Sequence, residues 1–228
     1  MGIDLEVVAD ERAAARRAAE LIAAAGSAAV RERGRFALAM SGGRTPWAML
    51  AILGEIEEMP WAETELFQVD ERIASPGSED RNLTHMVLGL SMDHQSSLRP
   101  MPVTQRDLEA AAREYESQLP GSLDLVHLGL GPDGHTASLV PGDPVLEVAD
   151  RRVAMTGSDY QGHRRMTLTY PALDAARRIV WLVTGEEKRD ALAKLLAGDR
   201  SIPAGRVENG AMTVVADEAV GDSGRGPR

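Results

Sequence analysis

The most constraining feature of this sequence is an apolar run from Leu123 to Leu130 that ends abruptly in a glycine-rich turn. The run has the length of a strand and is too short for a helix, and the glycines and proline that follow prevent its continuation. It therefore predicts a buried parallel strand. The turn carries Asp133 and His135, and ligands of open α/β sheets collect beyond the carboxyl ends of strands. The sequence thus predicts a functional site at this turn.

Asp133 and His135 together indicate acid-base chemistry. An acid two residues before a histidine on a tight turn can fix the tautomer of the imidazole or raise its basicity, and histidine titrates where a general base is useful. Two other interpretations stay open from the residues alone. His135 is compatible with a loop histidine held by backbone hydrogen bonds, and Asp133 is compatible with an ordinary turn residue.

The same stretch also has the glycine spacing of a dinucleotide-binding site, at Gly129, Gly131 and Gly134. That fingerprint requires a helix that begins at the third glycine and holds the pyrophosphate at its N-terminus. Here Pro141 and Pro144 end any such helix within about two turns. We therefore predict that this turn does not bind a dinucleotide.

Length and charge narrow the class of protein. The 228 residues suit one large α/β domain, and without a linker-like stretch we predict a single domain over residues 1–220 and a disordered tail over residues 221–228. The formal net charge of -10 disfavours nucleic acid and anionic membrane surfaces as partners, since both prefer a basic footprint. An anionic small substrate would need local positive charge against this background.

The chain contains no cysteine, which excludes disulfides, thiolate nucleophiles and cysteine-bound zinc. Its first residues include acids where a signal peptide needs a basic segment followed by an apolar one. Apolar runs stay well short of the length of a membrane span. We therefore expect a soluble protein with a cytoplasmic location.

A second glycine-rich turn follows the apolar, strand-like run from Arg35 to Met40. It consists of Ser41, Gly42, Gly43, Arg44, Thr45 and Pro46. Two glycines let the backbone approach an anion closely, Thr45 is a candidate helix cap, and Pro46 suits the first helical position. Such a helix N-terminus offers free N–H groups and a positive dipole end to a phosphate. The turn also fits an ordinary strand-to-helix connection, and it lacks the lysine of a nucleoside triphosphate loop.

Further charged residues lie beside predicted strands. Asp70, Glu71 and Arg72 follow a predicted strand over residues 64–69. Arg165 stands just before a predicted strand over residues 166–169, and Lys188 lies in the first turn of a helix predicted after the strand at 179–184. Because parallel strands deliver their carboxyl ends to a common edge, we expect Asp70 near the two turns. A solvated surface is the alternative interpretation of these charges.

In their order and spacing, these motifs resemble the 6-phosphogluconolactonase family. The segments that carry the resemblance are 41–46, 70–72 and 128–138, and the match runs over nearly the whole chain. Smaller matches are Asn82, Arg165 in its Arg-Met-Thr-Leu-Thr run, and Pro203 followed by Val207. The sequence departs from the family pattern at Arg44, at Arg81 and at residues 162–163, where the family commonly has a small hydroxyl residue, serine and prolines.

The resemblance implies an α/β fold with three layers, in which helices flank a Rossmann-like parallel sheet with mixed edges. Glucosamine-6-phosphate deaminase and ribose-5-phosphate isomerase share this fold. The resemblance also implies hydrolysis of 6-phospho-D-glucono-1,5-lactone to 6-phospho-D-gluconate in the oxidative pentose phosphate pathway. It implies no cofactor and no metal. The expected partner is a sugar-phosphate lactone, and the expected state is a monomer or a homodimer.

Lactone chemistry assigns provisional roles to the charged residues. Hydrolysis needs a water deprotonated near the carbonyl and a site for the developing oxyanion, without a covalent nucleophile. We therefore predict that His135 is the general base and that Asp133 orients it. Arg72 or backbone N–H groups of the glycine-rich turn would stabilise the oxyanion, and Asp70 would position the sugar hydroxyls.

The second turn supplies the expected phosphate site. The phosphate would bind at Ser41, Gly42, Gly43, Arg44 and Thr45. Candidate cationic partners are the side chains of Arg44, Arg165 and Lys188. Binding energy from the remote phosphate would hold the lactone carbonyl against the water and so raise the rate.

Two alternative functions share the same motifs. Glucosamine-6-phosphate deaminase has both turns, but its pattern places a glutamate that helps open the sugar ring where this chain has Val140, which cannot carry a proton. A non-catalytic sugar-phosphate sensor is the second alternative. Such regulators carry a DNA-reading helix pair before the sensor domain, whereas about one helix precedes the turn at Ser41 here.

Overall fold

Apolar strands alternate with amphipathic helices along the chain, and the computed structural model describes residues 3–221. The strands are β1 (Ile3–Val8), β2 (Phe36–Met40), β3 (Thr64–Gln68), β4 (Asp70–Arg72), β5 (Leu98–Arg99), β6 (Leu125–Gly129), β7 (Val153–Met155), β8 (Arg165–Leu168), β9 (Ile179–Val183) and β10 (Met212–Asp217). The helices are α1 (Glu11–Arg33), α2 (Arg44–Gly54), α3 (Asn82–Gly89), α4 (Leu108–Gln118), α5 (Tyr170–Asp174), α6 (Arg189–Leu196) and α7 (Glu218–Gly221). Most of the predicted tail, residues 222–228, lies outside the described residues.

Seven strands form one wholly parallel sheet in the order β1-β10-β9-β6-β2-β3-β5. The predicted α/β fold, a parallel sheet flanked by helices, is confirmed. Antiparallel pairing, which we expected at the sheet edges, occurs instead in a separate three-stranded sheet in the order β4-β8-β7. The second sheet arises because Asp70 to Arg72, expected as a charged strand end, pair with β8 as a strand of their own.

The central sheet is buried on both faces, and β2 shows the alternation that achieves this. Phe36, Leu38 and Met40 pack with apolar residues of α1 and α2, whereas Ala37 and Ala39 belong to the core on the opposite face. That opposite core includes α4, α6 and the second sheet. The sheet is therefore covered by helices on one side and by helices plus a small sheet on the other.

The strand order reverses between β6 and β2, since β3 lies on one side of β2 and β6 on the other. Open α/β sheets bind ligands at such a reversal. Both glycine-rich turns begin there, one after β2 and one after β6. Residues 130–143 contain turns and a bridge but no helix, so the prediction that no dinucleotide-type helix follows Gly134 is confirmed. Within residues 3–221, no helix combines the length and apolar character needed to cross a membrane.

One titratable side chain lies inside the core below the two turns. His127 on β6 is completely buried, and its neighbours across the sheet are Met40 and Val180. Neither of its ring nitrogens has a hydrogen-bond partner among residues 3–221. Burial lowers the pKa of His127 from 6.5 to about 3, because the charged form loses its hydration. The folded protein therefore holds this histidine neutral.

We expect His127 to make the folded state less stable in mild acid. Between pH 6.5 and about 3 the unfolded chain binds a proton at this side chain that the folded chain does not bind. Stability should therefore fall as the pH decreases, by up to about 1.4 kcal/mol per pH unit. Urea unfolding of wild type and His127→Leu at pH 7 and pH 5 measures this, and the variant should lose less stability. Equal losses in the two proteins would contradict the prediction.

Candidate active site

A cavity of about 280 Å³ opens beyond the carboxyl ends of β2, β3, β6 and β9. Its size lies near the lower limit of small-molecule sites. Ten of the predicted site residues line it, namely Ser41, Gly42, Gly43, Arg44, Thr45, Asp70, Arg72, His135, Arg165 and Lys188. The eleventh, Asp133, contacts His135 directly. Residues predicted from three separate motifs and two isolated cations therefore meet in one place.

The turn after β6 holds Asp133 against the imidazole of His135. The distance between Asp133 Oδ1 and His135 Nδ1 is 2.5 Å, and the same oxygen accepts a hydrogen bond from the backbone N–H of His135 at 3.1 Å. The ring packs over Gly131, where an added Cβ would lie 2.0 Å from Nδ1. Glycine is thus required at position 131 because the imidazole occupies the space of a side chain. The contact leaves Nε2 as the ring nitrogen available for proton transfer.

The environment of Asp133 favours its charged form. Burial alone would raise its pKa, but the hydrogen bond and charge of His135, together with a hydrogen bond from Tyr160, lower it overall. An anionic carboxylate at Nδ1 keeps the proton of a neutral imidazole on that nitrogen and stabilises an imidazolium when one forms. The pair can therefore accept a proton from a water near the cavity.

The turn after β2 differs in detail from the prediction. Helix α2 begins at Arg44 with Gly43 as its cap, so Thr45 is not the cap and Pro46 is the third helical residue. The reason is that Gly43 has a φ of 129°, which lets the chain turn earlier than an L-residue would. Gly42 is equally constrained, since a Cβ there would lie 1.9 Å from the side-chain oxygen of Asn82.

Thr45 and Arg44 both contact a carboxylate from the first helix. Thr45 Oγ1 donates to Glu11 Oε1 at 2.7 Å and lies 3.0 Å from the hydroxyl of Thr184. Arg44 Nη2 donates to Glu11 Oε2 at 3.1 Å, although its side chain is 86% exposed. A carboxylate therefore occupies two of the donors that were predicted to bind a phosphate.

Strand β4 places a fully buried carboxylate beside the cavity. The oxygens of Glu71 accept hydrogen bonds from the backbone N–H groups of Arg72, Asn82 and Leu83 and from the side-chain amide of Gln68, all at 2.8–2.9 Å. Glu71 also lies 3.5 Å from the guanidinium of Arg81. Because two of these donors are the first residues of helix α3, Glu71 caps that helix from the preceding strand. The solvated-surface alternative is wrong for this residue.

The neighbours of Glu71 in β4 are held in turn by Asn82. Its side-chain N–H groups donate to the backbone and side-chain oxygens of Asp70 at 3.0 and 3.1 Å. Its side-chain oxygen accepts from Arg72 Nη1 at 3.0 Å. Asp70 also accepts a 2.5 Å hydrogen bond from Ser138 Oγ. Asp70 and Arg72 are therefore fixed on the wall of the cavity.

The two remaining predicted cations have different surroundings. Arg165 is buried on β8, 3.7 Å from Asp70 Oδ2, and burial lowers its pKa. Lys188 ends a 3₁₀ turn over Glu186–Lys188 that precedes α6, so it is not in the first turn of a continuous helix as predicted. Burial also lowers the pKa of Lys188, while nearby acids that include Glu11 and Glu187 oppose this effect.

Sequence reasoning missed Tyr160 and Gln161, which lie at the tip of the β7–β8 hairpin. Tyr160 contacts both Asp133 and His135, and Gln161 lines the cavity. The only local signal is Gly162 between two short strands, which indicates a turn but not its target. Thr184, at the end of β9, was also missed, because its partner Thr45 is distant in sequence.

Known proteins resemble this chain in sequence and in fold. Residues 9–216 match the family model described as glucosamine-6-phosphate isomerases/6-phosphogluconolactonase. The chain is 34% identical over 207 residues to a 6-phosphogluconolactonase of Nostoc sp., covering 85% of each chain. It is 36% identical over 183 residues to that of Synechocystis sp., covering 74% of this chain and 75% of the relative. The crystal structure of the Thermotoga maritima 6-phosphogluconolactonase superposes with a TM-score of 0.83 at 26% identity, covering 94% of this chain and 99% of that chain.

We expect Glu71→Gln to destabilise the folded protein strongly. The amide keeps the shape but loses the charge and one acceptor oxygen, so buried donors of α3 and β4 lose their partner. Urea unfolding should show a loss of roughly 3 kcal/mol in the free energy of unfolding. Glu65→Gln is the matched control, since Glu65 forms a partly exposed pair with Arg99 and should cost less than about 1 kcal/mol. Similar losses in the two variants would contradict the prediction.

Proposed function

Because the chain belongs to the family of glucosamine-6-phosphate isomerases and 6-phosphogluconolactonases, we propose that it hydrolyses 6-phospho-D-glucono-1,5-lactone to 6-phospho-D-gluconate in the oxidative pentose phosphate pathway. The observation that carries this proposal is the 2.5 Å contact between Asp133 and His135 in a cavity that also contains the turn from Ser41 to Thr45. A base and an anion site within one small cavity suit a phosphorylated, water-labile substrate.

The proposed reaction begins with a neutral His135, whose Nδ1–H donates to Asp133. Nε2 accepts a proton from a water molecule as the water oxygen attacks the lactone carbonyl carbon. The carbonyl oxygen becomes an oxyanion, which Arg72 or backbone N–H groups of the glycine-rich turn stabilise. Collapse of this intermediate breaks the ester bond to the ring oxygen, which takes the proton back from Nε2. The new carboxylic acid then ionises and releases one proton.

The phosphate would bind at the turn from Ser41 to Thr45, where α2 begins. Of the candidate cations, Lys188 and Arg44 suit this turn best, because both lie near Glu11, which contacts Thr45 of the turn. Arg165 instead contacts Asp70 and the Tyr160 hairpin, so we assign it to the sugar end of the cavity. Asp70 would then bind the sugar hydroxyls next to it.

In this proposal, the carboxylate of Glu11 opposes the binding of the substrate phosphate. Its carboxylate bonds to Thr45 and Arg44, and an incoming phosphate must displace it or bind against its charge. The displacement partly offsets the attraction of Lys188 and of the helix N-terminus. Glu11 therefore weakens substrate binding, while Lys188 strengthens it.

The alternative deaminase activity gains no support from the structure. Val140, at the position where the deaminase pattern has its glutamate, is apolar, buried and outside the lining of the cavity.

We further propose that residues 1–220 act as one domain, as a monomer or a homodimer, in the cytoplasm. The absence of cysteine from the sequence is compatible with that compartment.

We expect His135→Ala to abolish most of the catalysis. Loss of the general base should lower kcat/KM by roughly 10² to 10⁴-fold, with little change in stability because the side chain is partly exposed. The measurement is proton release from freshly generated lactone, corrected for its spontaneous opening. His94→Ala is the matched control, because His94 stacks on Trp61 away from the cavity. A wild type that does not accelerate opening would reject the proposed function.

We expect opposite effects on KM from the two charges at the phosphate turn. Lys188→Ala should raise KM by about tenfold with kcat nearly unchanged, because uniform binding energy is lost. Glu11→Gln should lower KM by about threefold, because it removes a partly exposed carboxylate that competes with the substrate phosphate. Glu186→Gln removes the same charge at an exposed position outside the cavity lining and serves as the control. A higher KM in Glu11→Gln would mean that Glu11 positions the turn instead.

A further inference from the structure

The β7–β8 hairpin reaches over the catalytic pair. Its tip has two consecutive residues with positive φ, Gln161 at 52° and Gly162 at 84°, and Tyr160 N–H donates to the carbonyl of His163 at 3.0 Å. This is the pattern of a tight two-residue hairpin turn, which fixes the direction of the flanking residues. Tyr160, the residue before the turn, is thereby directed toward the loop that carries Asp133.

The hydroxyl of Tyr160 contacts both members of the pair. Tyr160 Oη lies 3.2 Å from Asp133 Oδ2 and 3.2 Å from His135 Nδ1. The edges of the Tyr160 and His135 rings meet at an angle of 63°, with their centroids 5.2 Å apart. The buried guanidinium of Arg165 lies over the Tyr160 ring, at 5.1 Å from its centroid. The Tyr160 ring is thus in contact with both His135 and Arg165.

The hydrogen-bond pattern assigns the proton of this hydroxyl. Burial, reinforced by the neighbouring Asp133, raises the pKa of Tyr160, so the side chain keeps its proton. His135 donates to Oδ1 of Asp133 from its ring and its backbone, which leaves Oδ2 as the acceptor for the tyrosine. Each carboxylate oxygen then has its own donor from the protein. Without the tyrosine, Oδ2 of this carboxylate, whose side chain is 38% exposed, would have no donor among residues 3–221.

We propose that Tyr160 is a positioning residue of the active site, whose hydroxyl holds the Asp133 carboxylate in the orientation that aligns His135 with the attacking water. This inference rests on the proposed lactone hydrolysis. The hydrogen bond from the hydroxyl also stabilises the negative charge of Asp133. The carboxylate therefore attracts an imidazolium less strongly than it would without this hydrogen bond. Tyr160 therefore acts through Asp133 and does not touch the substrate in this role.

The effect on pH dependence follows from the same contacts. Without the hydroxyl, Asp133 holds an imidazolium more strongly, so His135 should titrate at higher pH. The other ionisable side chains that share its cavity are unchanged in a tyrosine variant, namely Arg44, Asp70, Arg72, Arg165, Glu187 and Lys188. A change in the titration can therefore be assigned to the Tyr160 hydroxyl.

The test removes only the hydroxyl. Tyr160→Phe keeps the ring beside His135 and under Arg165, and Tyr170→Phe is the matched control because Tyr170 donates to the carbonyl of Pro203 outside the cavity lining. We expect Tyr160→Phe to lower kcat by about fivefold, to change KM less than twofold, and to move the acid limb of the pH profile upward. The control should change none of these. An unchanged kcat and pH profile in Tyr160→Phe would overturn the inference.

A double-mutant cycle tests whether Tyr160 acts through Asp133. In an Asp133→Asn background, the additional change Tyr160→Phe should alter kcat by less than about twofold. Full additivity of the two changes would overturn the positioning role, because it would mean that the hydroxyl acts independently of the carboxylate. Thermal unfolding of each variant checks that the fold is retained.

One further measurement separates this inference from the proposed function. The chain has five histidines, so the ring signal of His135 can be assigned by NMR from its loss in His135→Ala. Its titration midpoint should be higher in Tyr160→Phe than in wild type and Tyr170→Phe, whether or not lactone is hydrolysed. An unshifted midpoint would overturn the inference, whereas absence of lactonase activity with a shifted midpoint would reject only the proposed function.

Discussion

The interaction on which the cavity depends most is the burial of the Glu71 carboxylate between β4 and the start of α3. An isolated buried charge is very unfavourable, and here four hydrogen bonds and the guanidinium of Arg81 compensate it. Two of the donors belong to the first residues of α3, so strand and helix are held in one relative position. Asn82 then fixes Asp70 and Arg72. The carboxylate of Glu71, which does not line the cavity, thereby determines where the side chains of Asp70 and Arg72 lie on its wall.

The sequence predicted the elements whose signals are local. Apolar runs such as Ile179 to Val183 identified the parallel strands, and the rule that parallel strands share a carboxyl edge correctly brought the two turns and Asp70 together. Gly131 and Gly42 were recognised as turn residues, but the side chains that exclude a Cβ there come from His135 and Asn82. The sequence pattern thus located the site but did not show which side chains pack against its glycines.

What could not be predicted depends on contacts between distant segments. The second sheet exists because Asp70 to Arg72 pair with residues almost a hundred positions later, and no local pattern distinguishes such a strand from a charged loop. Tyr160 is in the same class, since its partner Asp133 lies 27 residues earlier. The start of α2 at Arg44 was missed because Gly43, and not the expected Thr45, caps the helix. Each difference reflects a tertiary contact or a backbone angle that residue preferences alone do not encode.

The close approach of Gly42 to the side chain of Asn82 joins the two halves of the cavity. Neither position can change freely, because any side chain at 42 collides with the amide that orders Asp70 and Arg72. The turn after β2 and the acidic strand β4 are therefore fitted to one another, although Gly42 and Asp70 lie 28 positions apart in the sequence. A chimera that exchanged the turn alone would combine a turn and an Asn82 side chain that had not evolved in contact with one another. Recombination within this fold is thus expected to preserve the segment from Ser41 to Asn82 as a block.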